Sequence, residues 1–223
     1  MEKAFTKDEL CTLYRRRAAR YDITANLYYL LGFREFAYRN QAVRALRLQP
    51  GETVVEIGCG TGLNFASLQQ GVGSRGSIIG VDLSEAMLAK ARERVQRRGW
   101  RNVELVECDA ALYHFPTDVS GVLSTFALTL VPEYEHVIEN ASRALGPGKR
   151  MVVLDLKQPQ GWPIWAVRLG VWLTHPFGVS LALVERHPWE AMASAFDRVA
   201  LTELYLGTVY MAVGEKGNSG GGT

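Results

Sequence analysis

Between Thr53 and Leu156, short β-branched runs alternate with amphipathic ones, and this rhythm constrains the fold more than any other feature of the chain. "TVVEI" (53–57), "SIIGVD" (77–82), "NVELVEC" (102–108), "GVLSTFA" (121–127) and "KRMVVLDL" (149–156) read as strands. "NFASLQQ", "SEAMLAKARERVQRR" (84–98) and "PEYEHVIENASRAL" (132–145) read as helices. Ser84 is placed to cap the second of these, Gly99 to stop it, and Pro132 to open the third. Strands that alternate with helices predict a parallel sheet wound on both faces, because each crossover must return to the same end of the sheet. Strands such as "TVVEI" barely alternate internally, as expected when helices cover both faces. "RVALTELYLGTVYMAVG" (198–214) holds two β-like runs with no helix between them, which predicts an antiparallel hairpin at the sheet edge. The expected fold class is α/β: a doubly wound, Rossmann-like sheet of about seven strands, with a C-terminal antiparallel hairpin and an N-terminal helical cap.

The cap comes from residues 1–48. Leu10, Leu13, Tyr14, Arg17 and Tyr21 recur at helical spacing over residues 5–20, and a second helix is expected from about Arg34 to Arg47 before the breaker "QPG". Residues 49–214 form the α/β domain, and "EKGNSGGGT" (215–223) reads as a disordered, low-complexity tail. Within the domain, residues 161–190 stand apart. "GWPIWAVRLGVWLTHPFGVSLALV" is apolar, with three tryptophans and a single charge, Arg168, before His175. A helix from Trp162 to Leu173 would be roughly 18 Å long, against a hydrocarbon core of about 30 Å, so a membrane span is rejected. A lid over an apolar substrate, an interfacial helix and a helix packed on the sheet all fit this composition. The insert is taken as an apolar lid.

Net charge is +2 over 223 residues, but it is unevenly placed. Residues 1–50 hold ten Lys/Arg and five Asp/Glu, and "YRRRAAR" (14–20) supplies four of the ten. A basic segment of this kind is drawn to anionic surfaces, though a solvated helix face has the same composition. Cys11, Cys59 and Cys108 are odd in number and without CxxC spacing, so neither a disulfide framework nor a zinc site is expected. His114, His136, His175 and His187 form no ligand cluster in sequence, and no metal is expected. The polar, charged start "MEKAFTKDEL" lacks a signal-peptide pattern, so a cytoplasmic location is expected, peripheral to the inner face of the membrane.

"VVEIGCGTGLNF" (54–65) places Gly58, Gly60 and Gly62 directly after the first strand. The first strand-to-helix turn of a doubly wound sheet is where such folds take nucleotides, and glycines there let a ligand lie against bare backbone. The spacing is G-x-G-x-G rather than the dinucleotide G-x-G-x-x-G. Three successive strands end in an acid: Glu56, Asp82 and Asp109. A pyrophosphate gains nothing from that much negative charge, whereas a cationic nucleoside does.

Together, "VVEIGCGTGLNF", "GVDLSEAMLAKA" and "VECDAALYHF" resemble the first three motifs of class I S-adenosylmethionine-dependent methyltransferases, over roughly residues 50–156. The resemblance implies S-adenosylmethionine as cofactor and S-adenosylhomocysteine as product. It places Glu56 beneath the methionine moiety, with the backbone of Gly58, Cys59, Gly60 and Gly62 facing it. Asp82 would bind the ribose hydroxyls, Leu83 and Met87 would flank adenine, and Asp109 with Ala110 would meet its amino edge. Thr125, at the end of the fourth strand, completes the expected cofactor set.

The acceptor is read from outside these motifs. No Asn/Asp-Pro-Pro-aromatic tetrad follows strand four, where "STFALTLVPEYEH" stands instead, and no nucleic-acid partner is expected. "YRRRAARYDITANLYYLLGFRE" resembles the start of the soluble bacterial phospholipid N-methyltransferases and of the quinone-biosynthesis C-methyltransferases. That resemblance implies that Tyr14 and Tyr21 line the methyl-transfer site, Tyr21 also against the cofactor, with Asp22 just beyond. "VERHPWE" (184–190) offers Glu185, Arg186 and His187 to a polar headgroup, and His187 as a base in the quinone case. The expectation is N-methylation of a phospholipid amine, phosphatidylethanolamine to its methylated forms, at an anionic membrane surface. The alternative is C-methylation of a quinone-type or other small apolar acceptor.

Overall fold

The computed structural model describes residues 34–159, 161–163 and 186–217. Tyr14, Tyr21, the basic run, residues 164–185 of the insert and the last six residues lie outside them.

In chain order, the elements are α1 (Glu35–Ala45), β1 (Thr53–Ile57), α2 (Phe65–Val72), β2 (Ser77–Asp82), α3 (Glu85–Arg98), β3 (Val103–Glu107), β4 (Val119–Thr125), α4 (Tyr134–Ala144), β5 (Leu145–Leu156), α5 (Pro188–Ala195), β6 (Arg198–Leu204) and β7 (Val209–Glu215). The seven strands form one sheet in the order β3-β2-β1-β4-β5-β7-β6. The first five run parallel, and β7 pairs antiparallel with both β5 and β6. The doubly wound sheet with its terminal hairpin is therefore as expected. The order reverses between β1 and β4, and the crevice at such a switch point is where ligands bind in open α/β sheets.

Period-two side-chain alternation divides the core between the two faces. Val55, Ile57, Val122 and Met151 pack on one face with Val137 and Ile138 of α4 and Met192 of α5. Val54, Leu123, Val152 and Leu154 pack on the other with Ala42 and Val43 of α1, Phe65 and Leu68 of α2, and Leu88 of α3. No helix among the described residues is long and apolar enough to cross a membrane.

The structure revises several boundaries. The fourth strand begins at Val119 rather than Gly121, and ends before Phe126. Phe126 takes φ +55, a left-handed conformation that breaks the strand. Gly99 closes α3 in the left-handed conformation as expected. Ser84 sits at the N-cap without a side-chain cap bond, and its backbone N–H donates to Asp82 Oδ1 at 2.9 Å. Helix α5 was not foreseen. Pro188 occupies its first turn, where a missing N–H is harmless, so the end of the apolar insert is helical. The tail also begins later than expected. Glu215 completes β7 and pairs with Arg150 at 2.5 Å, the Lys216 N–H donates to Lys149 O at 2.9 Å, and the Gly217 N–H donates to Asp197 Oδ2 at 2.6 Å.

Candidate cofactor site at the ends of the parallel strands

β1 ends at Ile57, and the chain turns through Gly58, Gly60 and Gly62, all at positive φ (+66, +55 and +75). The three glycines are needed for different reasons. A Cβ on Gly58 would lie 2.3 Å from the Ala127 Cβ, and one on Gly62 would lie 2.6 Å from the Phe65 ring. Those two let the loop press against the chain after β4 and against α2. A Cβ on Gly60 would meet nothing within 4 Å among the described residues, so their packing does not exclude a side chain there. What Gly60 supplies is a bare backbone facing open space. The loop is tied to β2 by the Gly58 and Cys59 N–H groups, which donate to Val81 O at 2.8 and 3.0 Å.

The acids occupy the adjoining strand ends. Asp82 Oδ2 accepts from the Gly60 N–H at 2.8 Å, while Oδ1 takes the Ser84 N–H. With the Gly60, Ser84 and Leu83 N–H groups on its two oxygens, the carboxylate keeps one further acceptor direction, so Asp82 can shape the loop and still receive a ligand hydroxyl. Desolvation pushes its pKa up, against the three backbone N–H groups that favour its charged form. Leu83, next in sequence, is 37% exposed, whereas Met87 on α3 is buried. Cys108 N donates to Asp82 O at 3.0 Å, which brings Asp109 beside this strand end. Asp109 Oδ1 accepts from the Ala111 N–H at 3.0 Å and so caps the short turn Ala110–Leu112.

Glu56 points into the interior at 1% exposure. Its Oε1 accepts from Asn64 Nδ2 at 2.5 Å, and its Oε2 has no hydrogen-bond partner among the described residues. Burial pushes its pKa up to about 7, against the Asn64 hydrogen bond and the charge of Arg39, and with a small further push from Asp82. A buried carboxyl with one oxygen unpartnered is a site for a cationic or donor group. Thr125, also buried, accepts at Oγ1 from Asn64 Nδ2 at 2.9 Å and from Arg39 Nη1. Cys59 is turned inward, with its Sγ against Gly80, and burial pushes its thiol well up. It contributes backbone to the loop and is no nucleophile.

A second polar group lies at the ends of β5 and β7. The buried Asp155 accepts from the Thr129 N–H at 2.9 Å and from the Leu156 N–H at 2.8 Å. Burial raises its pKa, and it also raises that of the Tyr210 phenol, whose buried Oη has no partner among the described residues. Arg186 Nη1 donates to Thr129 O at 2.7 Å. His187 precedes α5, with Nδ1 3.2 Å from Glu190 Oε1 and its ring 4.7 Å from that of Trp189.

The structure thus brings Glu56, the glycine loop, Asp82 and Thr125 together and sets Asp109 beside them. Sequence reasoning missed Asn64 and Arg39. Asn64 lies inside the quoted motif and its amide was the available signal. Arg39 carried none, because it looked like one of several arginines on a basic helix.

An unpaired Glu56 oxygen, an open glycine backbone at Gly60 and an acid at or beside the end of each of the first three strands fit S-adenosylmethionine, whose methionine end is cationic and whose ribose and adenine need acceptors. Residues 54–148 match the family model of a methyltransferase domain. Over that stretch the chain is similar to methyltransferase domains. Among curated proteins it is similar to demethylmenaquinone methyltransferase of Bacillus cereus, 31% identical over 127 residues that make up 56% of this chain and 54% of that protein. The corresponding enzyme of Shouchella clausii is 35% identical over 124 residues, 55% and 53% of the two chains. The chain spans about half the length of these curated relatives. Among solved structures, an S-adenosylmethionine-dependent methyltransferase from Aquifex aeolicus superposes with a TM-score of 0.58 at 20% identity, covering 79% of this chain and 88% of that one. Phosphoethanolamine N-methyltransferase 2 of Haemonchus contortus, solved with phosphomonomethylethanolamine and S-adenosylhomocysteine, superposes with a TM-score of 0.63 at 18% identity, covering 80% and 53%. Both structural likenesses speak to fold.

Proposed function

We propose that this protein is a methyltransferase that moves the methyl group of S-adenosylmethionine to the amine headgroup of a phospholipid at an anionic membrane surface. The observation that carries the cofactor half is the Glu56–Gly60–Asp82 constellation at the switch point of the sheet. The acceptor half is supported by the basic N-terminal segment and the Trp-rich insert, which suit docking to lipid headgroups and covering an apolar acceptor.

Bound S-adenosylmethionine would supply an electrophilic methyl carbon, to which the neutral acceptor amine would form a C–N bond as the C–S bond breaks, with S-adenosylhomocysteine leaving and the amine's proton passing to solvent. Glu56 holds the methionine end by charge. Asp82 takes the ribose hydroxyls, Leu83 and Met87 bound the adenine, and Asp109 with Ala110 meets its amino edge. The Gly58–Gly62 backbone admits the ligand, with Cys59 contributing its backbone and Thr125 fixing Asn64 beneath it. By the resemblance of their segment, Tyr14 and Tyr21, which lie outside the described residues, would offer aromatic faces that favour a methylated ammonium. The protein's contribution is positioning and exclusion of water, because methyl transfer needs little more.

A second reading, C-methylation of a quinol, is favoured by the similarity to demethylmenaquinone methyltransferases. A phenol must then lose a proton, and His187 is the candidate base.

Incubation with methyl-labelled S-adenosylmethionine and phosphatidylethanolamine liposomes, followed by organic extraction and chromatography, tests the proposal. Label running as mono-, di- or trimethylated lipid supports the first reading. Absence of labelled lipid with cofactor binding intact sinks it, and label in an added demethylmenaquinol then establishes the second.

A further inference from the structure

Arg39 is only 6% exposed, on a helix whose neighbouring Ala42, Val43 and Leu46 already bury themselves against the sheet. A buried guanidinium is weak evidence for stability, because its desolvation offsets most of what pairing returns. Where this one is directed is therefore informative. Its Nε donates to Glu35 Oε1 at 2.7 Å, one turn back on α1. Its Nη1 donates to Thr125 Oγ1, and its Cζ sits 5.0 Å from the centre of the Phe126 ring. Phe126 is the residue at φ +55, so the guanidinium rests against the one strained position at the end of β4.

Thr125 Oγ1 is shared. Its two acceptor directions are filled by Arg39 and by Asn64 Nδ2, and the second Asn64 N–H goes to Glu56 Oε1. Both Asn64 donors are thereby committed, and Glu56 is held with its other oxygen unpartnered. The chain of contacts runs from α1, through the end of β4, to the acid of β1.

We propose that Arg39 is a positioning residue of the cofactor site, which orients Asn64 and Glu56 through Thr125. This rests on the cofactor reading above. Among the described residues, the charged and titratable groups around Glu56 come from four directions: Arg39 with Glu35 on α1, Asp82 at the end of β2, the Cys59 thiol in the loop, and Asp155 on β5, which faces Arg39. Among them only Arg39 carries positive charge, so its loss leaves Glu56 protonated to a higher pH. A cationic ligand needs the ionised carboxylate. Coupling of this kind is reciprocal, so cofactor binding in turn stabilises the seat of α1.

The test is calorimetric titration of S-adenosylhomocysteine and S-adenosylmethionine into the wild type, Arg39→Gln, Arg39→Lys and Thr125→Val across the neutral pH range, with ligand-free thermal melts alongside. Arg39→Gln is expected to bind about tenfold more weakly or worse near neutrality, with a deficit that shrinks as pH rises and Glu56 ionises unaided. Arg39→Lys keeps the charge and recovers part of the affinity. Thr125→Val weakens binding without moving the pH profile. A folded Arg39→Gln with wild-type affinity and an unmoved pH profile overturns the proposal. If that variant does not fold, wild-type affinity in Thr125→Val overturns it equally. A wild type that binds neither nucleoside removes the cofactor reading itself, a distinguishable failure.

Discussion

The backbone N–H of Gly60 donates to Asp82 Oδ2 at 2.8 Å, so the loop after the first strand is stitched to the end of the second. Asp82 is therefore both a builder of the loop and a candidate ligand for it. Asp82→Ala should lower S-adenosylmethionine affinity sharply in calorimetry. It should also lower stability by about 1–3 kcal/mol, because the Gly60 and Ser84 N–H groups lose their acceptor. Asp82→Asn, which keeps one acceptor oxygen, should fall between. Unchanged affinity in the alanine variant would remove Asp82 from the site.

Gly58 and Gly60 should separate folding from binding. Gly60→Ala places a Cβ in open space and bears only the left-handed backbone penalty, about 1–2 kcal/mol. It should melt a few degrees below the wild type and lose cofactor affinity. Gly58→Ala adds a clash with the Ala127 Cβ and should be far less stable, or fail to fold. Thermal melts and ligand titrations of both variants check this, and equal effects would mean the open backbone at Gly60 faces no ligand.

Glu56 carries a pH signature. An ordinary glutamate ionises near 4.5, and burial raises this one to about 7. Between those values the folded chain holds a proton that the unfolded chain releases, so Glu56's contribution is fully present below 4.5 and is lost as pH rises through 7. The loss is of order 3 kcal/mol. Glu56→Gln should thus raise the melting temperature of the ligand-free protein at alkaline pH, leave it nearly unchanged in acid, and abolish tight cofactor binding. A variant less stable than the wild type at alkaline pH would contradict the buried, unpaired state of this carboxyl.

The membrane reading has its own test. The full chain should bind anionic liposomes, less so as salt rises. Neutralising Arg15, Arg16 and Arg17 together should weaken that binding by about a hundredfold at low salt without touching cofactor affinity, since surface attraction is about 1 kcal/mol per basic residue. Co-sedimentation at low and high salt measures it, and no binding at low salt would count against a lipid acceptor.

The sheet, its hairpin and the three acid-ended strands were legible in the chain because they rest on local regularities: β-branched runs, helical spacing, and glycines where the backbone must turn left-handed. The end of β4 was misjudged because "FA" reads as strand, while Phe126 is forced to φ +55. Helix α5 was missed because "VERHPWE" reads as a source of headgroup-binding side chains, whereas Pro188 opens a helix there. Cys59 was grouped with the cofactor contacts by its place in the motif, and only packing against Gly80 shows that its side chain leaves the loop.

By itself the sequence determined that this chain winds a parallel sheet and places an open glycine backbone between carboxylates, since both follow from neighbours a few residues apart. Only the tertiary structure decided how those carboxylates are poised. Arg39 and Thr125 meet across 86 residues of chain, and Asn64 reaches Thr125 across 61. A charge buried by such contacts takes its pKa and its orientation from partners brought to it by the fold, and no local pattern encodes which partners those are.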